Sequence, residues 1–204
     1  MAARRLSSAE RRQQIANAAA ALFAKHGFAG VTTHEIAKRA RVNEAIIFRH
    51  FPTKRALYTE IINQKIEVAT HIFAPERIAE GDDAEVLRSV TTFIIERSRE
   101  DTTFLRLMLY SALEDNELAD LFFAKRMGLL VDFMLEFVKR RVRNGHFRRI
   151  EPRTAVRAFL GMIFHYILME ELYDVPEGMR VSSETVVDQF VDIFLNGVKK
   201  GGNR

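Results

Sequence analysis

Cysteine is absent from this 204-residue chain, so it builds no disulfide framework and no thiolate metal site. That suits a reducing compartment, and the expected location is the cytoplasm. Only 4 prolines and 10 glycines interrupt the chain, few enough for a mostly helical fold. No stretch approaches the roughly 20 uninterrupted apolar residues that a membrane-spanning helix needs. There is no strand-period alternation and no internal repeat. The N-terminus imitates a secretion signal, with Arg4 and Arg5 ahead of the apolar IANAAAALFA at 15–24. Yet Arg11, Arg12, Gln13 and Gln14 separate the two parts, and Asn17 interrupts the second. Ile15, Ala18, Ala19, Leu22 and Phe23 share one helical face, so the segment reads as an amphipathic first helix.

Signatures of chemistry are missing too. Histidines 26, 34, 50, 71, 146 and 165 form no close ligand pair. There is no phosphate-cradling glycine loop, nucleophile elbow or HExxH pattern. The chain is expected not to be an enzyme and to hold no metal or cofactor.

What is present is a globular composition, 48% hydrophobic and 28% charged, with an uneven charge. Through Arg55 there are eleven Lys and Arg residues against Glu10, Glu35 and Glu44, while the remainder is net acidic. A basic head on an acidic body is the footprint of a polyanion-binding module. Within the head, TTHEIAKRARVNEAIIFRHFPTK at 32–54 reads as two short helices and a capped restart. Thr32 and Glu35 have capping-box spacing, Asn43 caps the second helix, and Thr53 caps the next. Ile36, Ala37 and Ala40 face inward on the first helix, Ile47 and Phe51 on the second. Pro52 stops it. Two helices of about two turns joined by a three- or four-residue turn form a helix-turn-helix, which lays its second helix in the DNA major groove.

Around this motif the pattern places a basic arm at 1–9 and a helix from about Ser8 or Ala9 to Lys25, ended at Gly27. A longer helix runs from Thr53 to about Phe73. After a loop at 74–83, helices follow near 84–98, 103–113, 116–144, 152–172 and 182–198, about nine in all. The helix at 152–172 is apolar nearly all round and so must be covered on every side. The final helix is similarly over-supplied. A two-fold, four-helix dimer interface is the economical explanation, with Phe159, Ile163, Ile167, Val187, Phe190, Val191, Phe194 and Val198 as candidates.

The segment from about Gln14 to Leu57 resembles the DNA-binding domain of TetR-type (tetracycline-repressor-like) transcriptional regulators. The resemblance rests on ALFAKHGF at 21–28, Thr32, EIAKRA at 35–40, Val42, FRHFPTK at 48–54 and Ala56-Leu57. It implies an all-α fold: a DNA-binding domain at 1–56 with its basic arm, and a helical effector-binding and dimerisation domain at 57–204. It further implies a homodimer, usually a repressor, that leaves a palindromic operator when a small molecule fills a pocket in the body. Three departures stand out. Arg41 occupies a turn position usually glycine, Glu44 one usually small polar or basic, and Phe48 replaces a tyrosine whose hydroxyl would bond phosphate.

Phosphate contacts are expected from Thr32, Thr33, Arg41, His50, Thr53 and Lys54, two of them at helix N-termini where free N–H groups welcome an anion. Arg4, Arg5, Arg11 and Arg12 either add sequence-blind attraction or stay solvated. Base readout falls to Asn43, Glu44, Ala45, Ile46, Phe48 and Arg49, with Arg49 the strongest because a guanidinium pairs with guanine O6 and N7. The Phe- and Met-rich body suits a pocket for an apolar or aromatic effector. Its candidates are Phe93, Arg97, Phe104, Met108, Tyr110, Phe123, Arg126, Met127, Leu130, Met134, Met162, His165, Tyr166 and Met169. The alternative is an architectural DNA-binding protein without an effector.

Overall fold

Polar side chains set where the helices begin in the computed structural model, which describes residues 6–72, 82–114, 116–122, 128–173 and 175–199, without the side chains of 66–72, 116, 121, 122 and 128. Ten α-helices are described: α1 Ser8–His26, α2 Thr33–Ala40, α3 Glu44–His50, α4 Lys54–Ile72, α5 Asp83–Glu100, α6 Thr103–Glu114, α7 Asn116–Phe122, α8 Gly128–Arg143, α9 Pro152–Leu172 and α10 Ser183–Val198. Ser7, Thr32 and Asp82 each close a capping box with the glutamate three residues on. Asn43, Glu151 and Ser182 cap α3, α9 and α10 through single side-chain acceptors. The run expected as one helix at 116–144 is described as α7 and α8, and residues 123–127 between them lie outside the described residues. No strand occurs among the described residues, only one antiparallel bridge between Phe147 and Lys199. None of the described helices is long and apolar enough to cross a membrane.

Two helices end in the same motif with different residues. At α8, His146 N–H reaches the Arg141 carbonyl and Gly145 N–H the Val142 carbonyl, with Gly145 at φ +75°. At α2, Val42 N–H reaches Ala37 and Arg41 N–H reaches Lys38. Both are Schellman closures, whose penultimate residue must be left-handed. In α2 that residue is Arg41, at φ 53° and ψ 46°. The steric cost of a Cβ there is about 1 kcal/mol.

The chain divides into two compact units that interleave in sequence: Met1–Ala69 with Thr103–Arg126, and Thr70–Thr102 with Met127–Arg204. In the first, α1 packs on α2 and α6, α2 on α3, and α6 on α7. Its core gathers Ile15, Phe23, Ile36, Ile47, Phe51, Leu57, Tyr58, Ile61 and Ile62 with Leu107 of α6 and Leu118 of α7. Tyr58 sits edge-on to Phe23 and Phe28, 5.2 and 5.3 Å between ring centroids. Its hydroxyl donates to the Leu107 carbonyl at 3.1 Å, and burial pushes its pKa up, so it stays a donor.

In the second unit α5 packs on α9 and α10, α8 on α9, and α9 on α10. Phe137, Phe147, Phe194 and Phe159 form a run of ring contacts through its interior. Arg141 and Asp83, each 17% exposed at the side chain, approach to 2.5 Å and tie α8 to the start of α5. Arg99 joins three elements, donating to Ser183 Oγ at 2.9 Å and Tyr166 Oη at 3.2 Å, with Glu171 at 3.7 Å.

Candidate nucleic-acid interface

The two short helices are held to α1 by side chains that reach their ends. Gln14 Nε2 donates to the Ala40 carbonyl at 3.0 Å, where α2 stops. Arg12 donates to the His50 carbonyl at 2.6 Å, where α3 stops, lies 4.3 Å over the Phe51 ring, and pairs with Glu60 at 3.1 Å. The end of each helix is therefore fixed by α1, while the N-terminal turns of α2 and α3 stay outward.

The predicted caps are all in place. Thr32 Oγ1 accepts from Glu35 N–H at 3.2 Å, Asn43 Oδ1 from Ile46 N–H at 3.0 Å, and Thr53 Oγ1 from Ala56 N–H at 3.0 Å. Along α3, Ala45, Phe48 and Arg49 are exposed, Glu44, Ile46 and His50 are half-buried, and Ile47 is buried. Ile46 packs partly against the core of the unit, so only part of it is left to meet a base. Arg41, Thr32, Asn43 and Thr53 are exposed and Thr33 half-buried.

Two predicted contact residues have internal partners. Lys54 Nζ donates to the carbonyls of Phe28 at 2.8 Å and Val31 at 2.9 Å, and sits 4.3 Å over the Phe28 ring. Burial lowers its pKa, with nearby Glu114 acting in the opposite sense. Its ammonium holds the loop before α2, which a fully solvated phosphate ligand would not do. Glu44 accepts the Thr33 hydroxyl at 2.7 Å, with His34 Nδ1 at 3.2 Å, so its partners lie on α2. Sequence reasoning missed Arg12 as a clamp, because its partner is 38 positions away. It also passed over His34, although the adjoining N-termini of a helix-turn-helix place it near Glu44.

The pocket candidates fall in both units. Phe104 and Met108 of α6 pack against the core of the first unit, and Tyr110 donates to the Lys25 carbonyl at 3.0 Å. Phe123, Arg126 and Met127 lie outside the described residues. In the second unit Met134 is fully buried, Phe93, Arg97, Leu130, Met162 and Met169 are half-buried, and His165 is exposed. Arg97 pairs with Glu100, and Tyr166 donates to the Val181 carbonyl at 3.0 Å.

The dimer candidates need correction. Phe159, Ile163, Ile167, Val191, Phe194 and Val198 are buried within the single chain, because they form the sides of α9 and α10 that meet its own core. Val187 and Phe190 are half-buried, Phe190 lying edge-on to Tyr166. The outward side of the pair carries Ala158, Gly161, Phe164, His165, Ile193 and Gly197 instead, with Ile193 57% exposed.

Residues 15–61 match the family model for bacterial regulatory proteins of the tetR family, and residues 84–197 that for the C-terminal domain of AefR-like transcriptional repressors. The HTH-type transcriptional regulator LuxR of Vibrio harveyi is 25% identical over 195 residues, covering 94% of this chain and 90% of LuxR. The nucleoid occlusion factor SlmA of Haemophilus ducreyi is 28% identical over 155 residues, 74% of this chain and 75% of SlmA. The crystal structure of AibR in complex with isovaleryl coenzyme A and operator DNA aligns with a TM-score of 0.70 at 23% identity, covering 90% of this chain and 97% of AibR.

Proposed function

Since the chain belongs to the tetR family of bacterial regulatory proteins and is a DNA-binding transcriptional regulator, we propose that it is a homodimeric repressor of a palindromic operator, released by a small apolar effector. The observation that carries the DNA part is the face formed by the outward turns of α2 and α3, where Arg49, Ala45 and Phe48 stand exposed. Arg49 reads guanine, Ala45 and the outer part of Ile46 meet thymine methyls, and Phe48 packs on a base edge or sugar. Asn43 joins them at the start of α3. Thr32, Thr33, Arg41, His50 and Thr53 position the phosphates. Lys54 acts one step back, by fixing the loop that carries Thr32.

The functional division runs at residues 56 and 57, within the first turn of α4. The second copy of the chain covers the outward side of α9 and α10, where Ala158, Gly161 and Gly197 let two helices approach closely and Phe164 and Ile193 supply apolar area. The effector lies among the half-buried Phe93, Leu130, Met162 and Met169 of the second unit, alongside Met134. AibR, whose fold is similar, is the precedent for one such protein with both a small molecule and operator DNA. Release follows from linkage: a ligand preferring the conformation that mis-spaces the two heads weakens DNA binding by its differential affinity. A 100-fold release takes about 2.7 kcal/mol. Such a protein works in the cytoplasm, beside the chromosome.

A second reading, an effector-independent architectural protein, is favoured by the likeness to SlmA, a nucleoid occlusion factor. Genomic-fragment selection with purified protein, followed by salt-titrated binding, separates the two. The regulator reading expects a palindromic site bound far more tightly than random DNA. Weak, sequence-indifferent binding that collapses with salt would overturn it.

A further inference from the structure

Glu44 opens α3, and its carboxylate bridges to the first turn of α2. Its Oε2 accepts the Thr33 hydroxyl at 2.7 Å, and its Oε1 lies 3.2 Å from His34 Nδ1. The His34 side chain is 79% exposed, that of Glu44 41%. A carboxylate here faces a backbone that carries one negative charge per roughly 1.7 Å of duplex axis. Thr33 offers it a hydrogen bond but no compensating charge. His34 can offer both. As an acceptor only, Glu44 selects the imidazole form with hydrogen on Nδ1, which leaves Nε2 for an outside partner. Neutral, that Nε2 is an acceptor and repels a phosphate oxygen. Protonated, both ring nitrogens donate, one to Glu44 and one to the phosphate.

Resting on the operator-binding reading above, we infer that His34 takes up a proton when α2 and α3 engage DNA, with Glu44 as the residue that positions the imidazole against a phosphate. The charged groups around it decide the balance. Glu44 faces it from α3 with a carboxylate. Glu35 on α2 carries another, held below its ordinary range by the Thr32 N–H and hydroxyl, and both His26 and His34 lie within electrostatic reach of it. A phosphate added to this set makes the complex hold more protons than the free protein. Affinity therefore rises as pH falls, and levels off once the free protein is protonated too.

The test uses the full-length chain and the best palindromic duplex recovered by genomic-fragment selection, with a shuffled duplex as control. Affinity is titrated between about pH 5 and 8, where an imidazole changes charge. Binding should tighten on acidification, by up to about tenfold per pH unit for each proton taken up. His34→Gln should make that dependence shallower, leaving only the share that His50 contributes at its own phosphate, while its thermal unfolding stays that of wild type. Glu44→Gln, which keeps one acceptor oxygen and removes the charge, should shift the dependence to lower pH. A pH dependence as steep in His34→Gln as in wild type, or a flat wild-type profile, overturns the inference and leaves the regulator standing. So does a Glu44→Gln variant that changes only the preferred base at one operator position, since Glu44 would then be reading cytosine directly. If no duplex outcompetes the shuffled control at any pH, the regulator reading falls and the inference with it.

Discussion

Glu114, the last residue of α6, accepts the backbone N–H of Phe28 at 2.7 Å, across 86 positions of sequence. The same oxygen takes the Ala29 N–H at 3.1 Å. From the other side, Lys54 donates to the carbonyls of Phe28 and Val31. The loop leading into α2 is thus gripped by a carboxylate on its N–H groups and an ammonium on its carbonyls. Gly27 makes room for this: a Cβ there would lie 1.8 Å from Glu114 Oε1, and its φ is +74°. Its ψ of 175° puts it in a region open essentially to glycine alone. Glu114→Ala should lower stability by about 1–3 kcal/mol, the net worth of the two hydrogen bonds lost with the carboxylate. Gly27→Ala should cost more, since it adds backbone strain to the collision. Chemical denaturation of both variants checks the order.

Arg41→Gly should stabilise the fold by about 1 kcal/mol, because glycine takes the left-handed position without the Cβ clash. The same change removes a cation from the DNA face. Operator affinity should fall, and the slope of log affinity against log salt should become shallower by about 0.9 per chain. A variant that is more stable yet binds as tightly as wild type would place Arg41 away from the phosphates.

Arg49→Ala should lose about 1–3 kcal/mol of discrimination at one base pair while the dimer persists. Gel-shift titration against the operator and its single-base variants reads this directly. Unchanged affinity and specificity would take Arg49 off the list of contacts.

Ile193→Asp should break the dimer and leave each chain folded, because Ile193 lies on the outward side of α10. Phe159→Ala should do something different: it empties a site in the chain's own interior and costs about 3–5 kcal/mol. Sedimentation paired with thermal unfolding distinguishes the two. Monomeric Ile193→Asp with a native melting curve is the expected result.

Acid should loosen the helix starts. Ser7 and Thr32 hold the carboxyls of Glu10 and Glu35 below their ordinary value of 4.5. A group with a depressed folded pKa contributes above its unfolded value and loses that contribution as pH falls through the folded one. Helicity followed by circular dichroism should therefore decline below about pH 4.5, the ordinary value for glutamate. Glu35→Gln should remove its share of the decline.

Local signals carried much of this structure. Thr32, Glu35, Asn43 and Thr53 cap as their spacing implied, since a cap needs only its neighbours. Ile47 is buried in preference to Ile46 because a two-turn helix has one inward side. What escaped depends on partners distant in sequence. Apolar Phe104 and Met108 announced that they would be buried, but not that the first unit would bury them. Likewise, an all-round apolar α9 signalled cover on every side without saying which side meets its own chain. Phe159 and Ile163 went inward, and the outward side kept Ala158, Gly161 and Phe164. Lys54 looked like a free cation, and only the folded loop reveals its two carbonyls.

The Arg12 clamp bears on how this protein would travel. Arg12 is matched by Glu60, Arg55 by Glu117, and Lys54 is turned onto carbonyls, so three of the head's basic groups are already engaged before any DNA arrives. Grip on arbitrary sequence scales with the cations left free to displace counterions. A head with fewer of them lets go of random DNA sooner, which shortens each stretch of sliding.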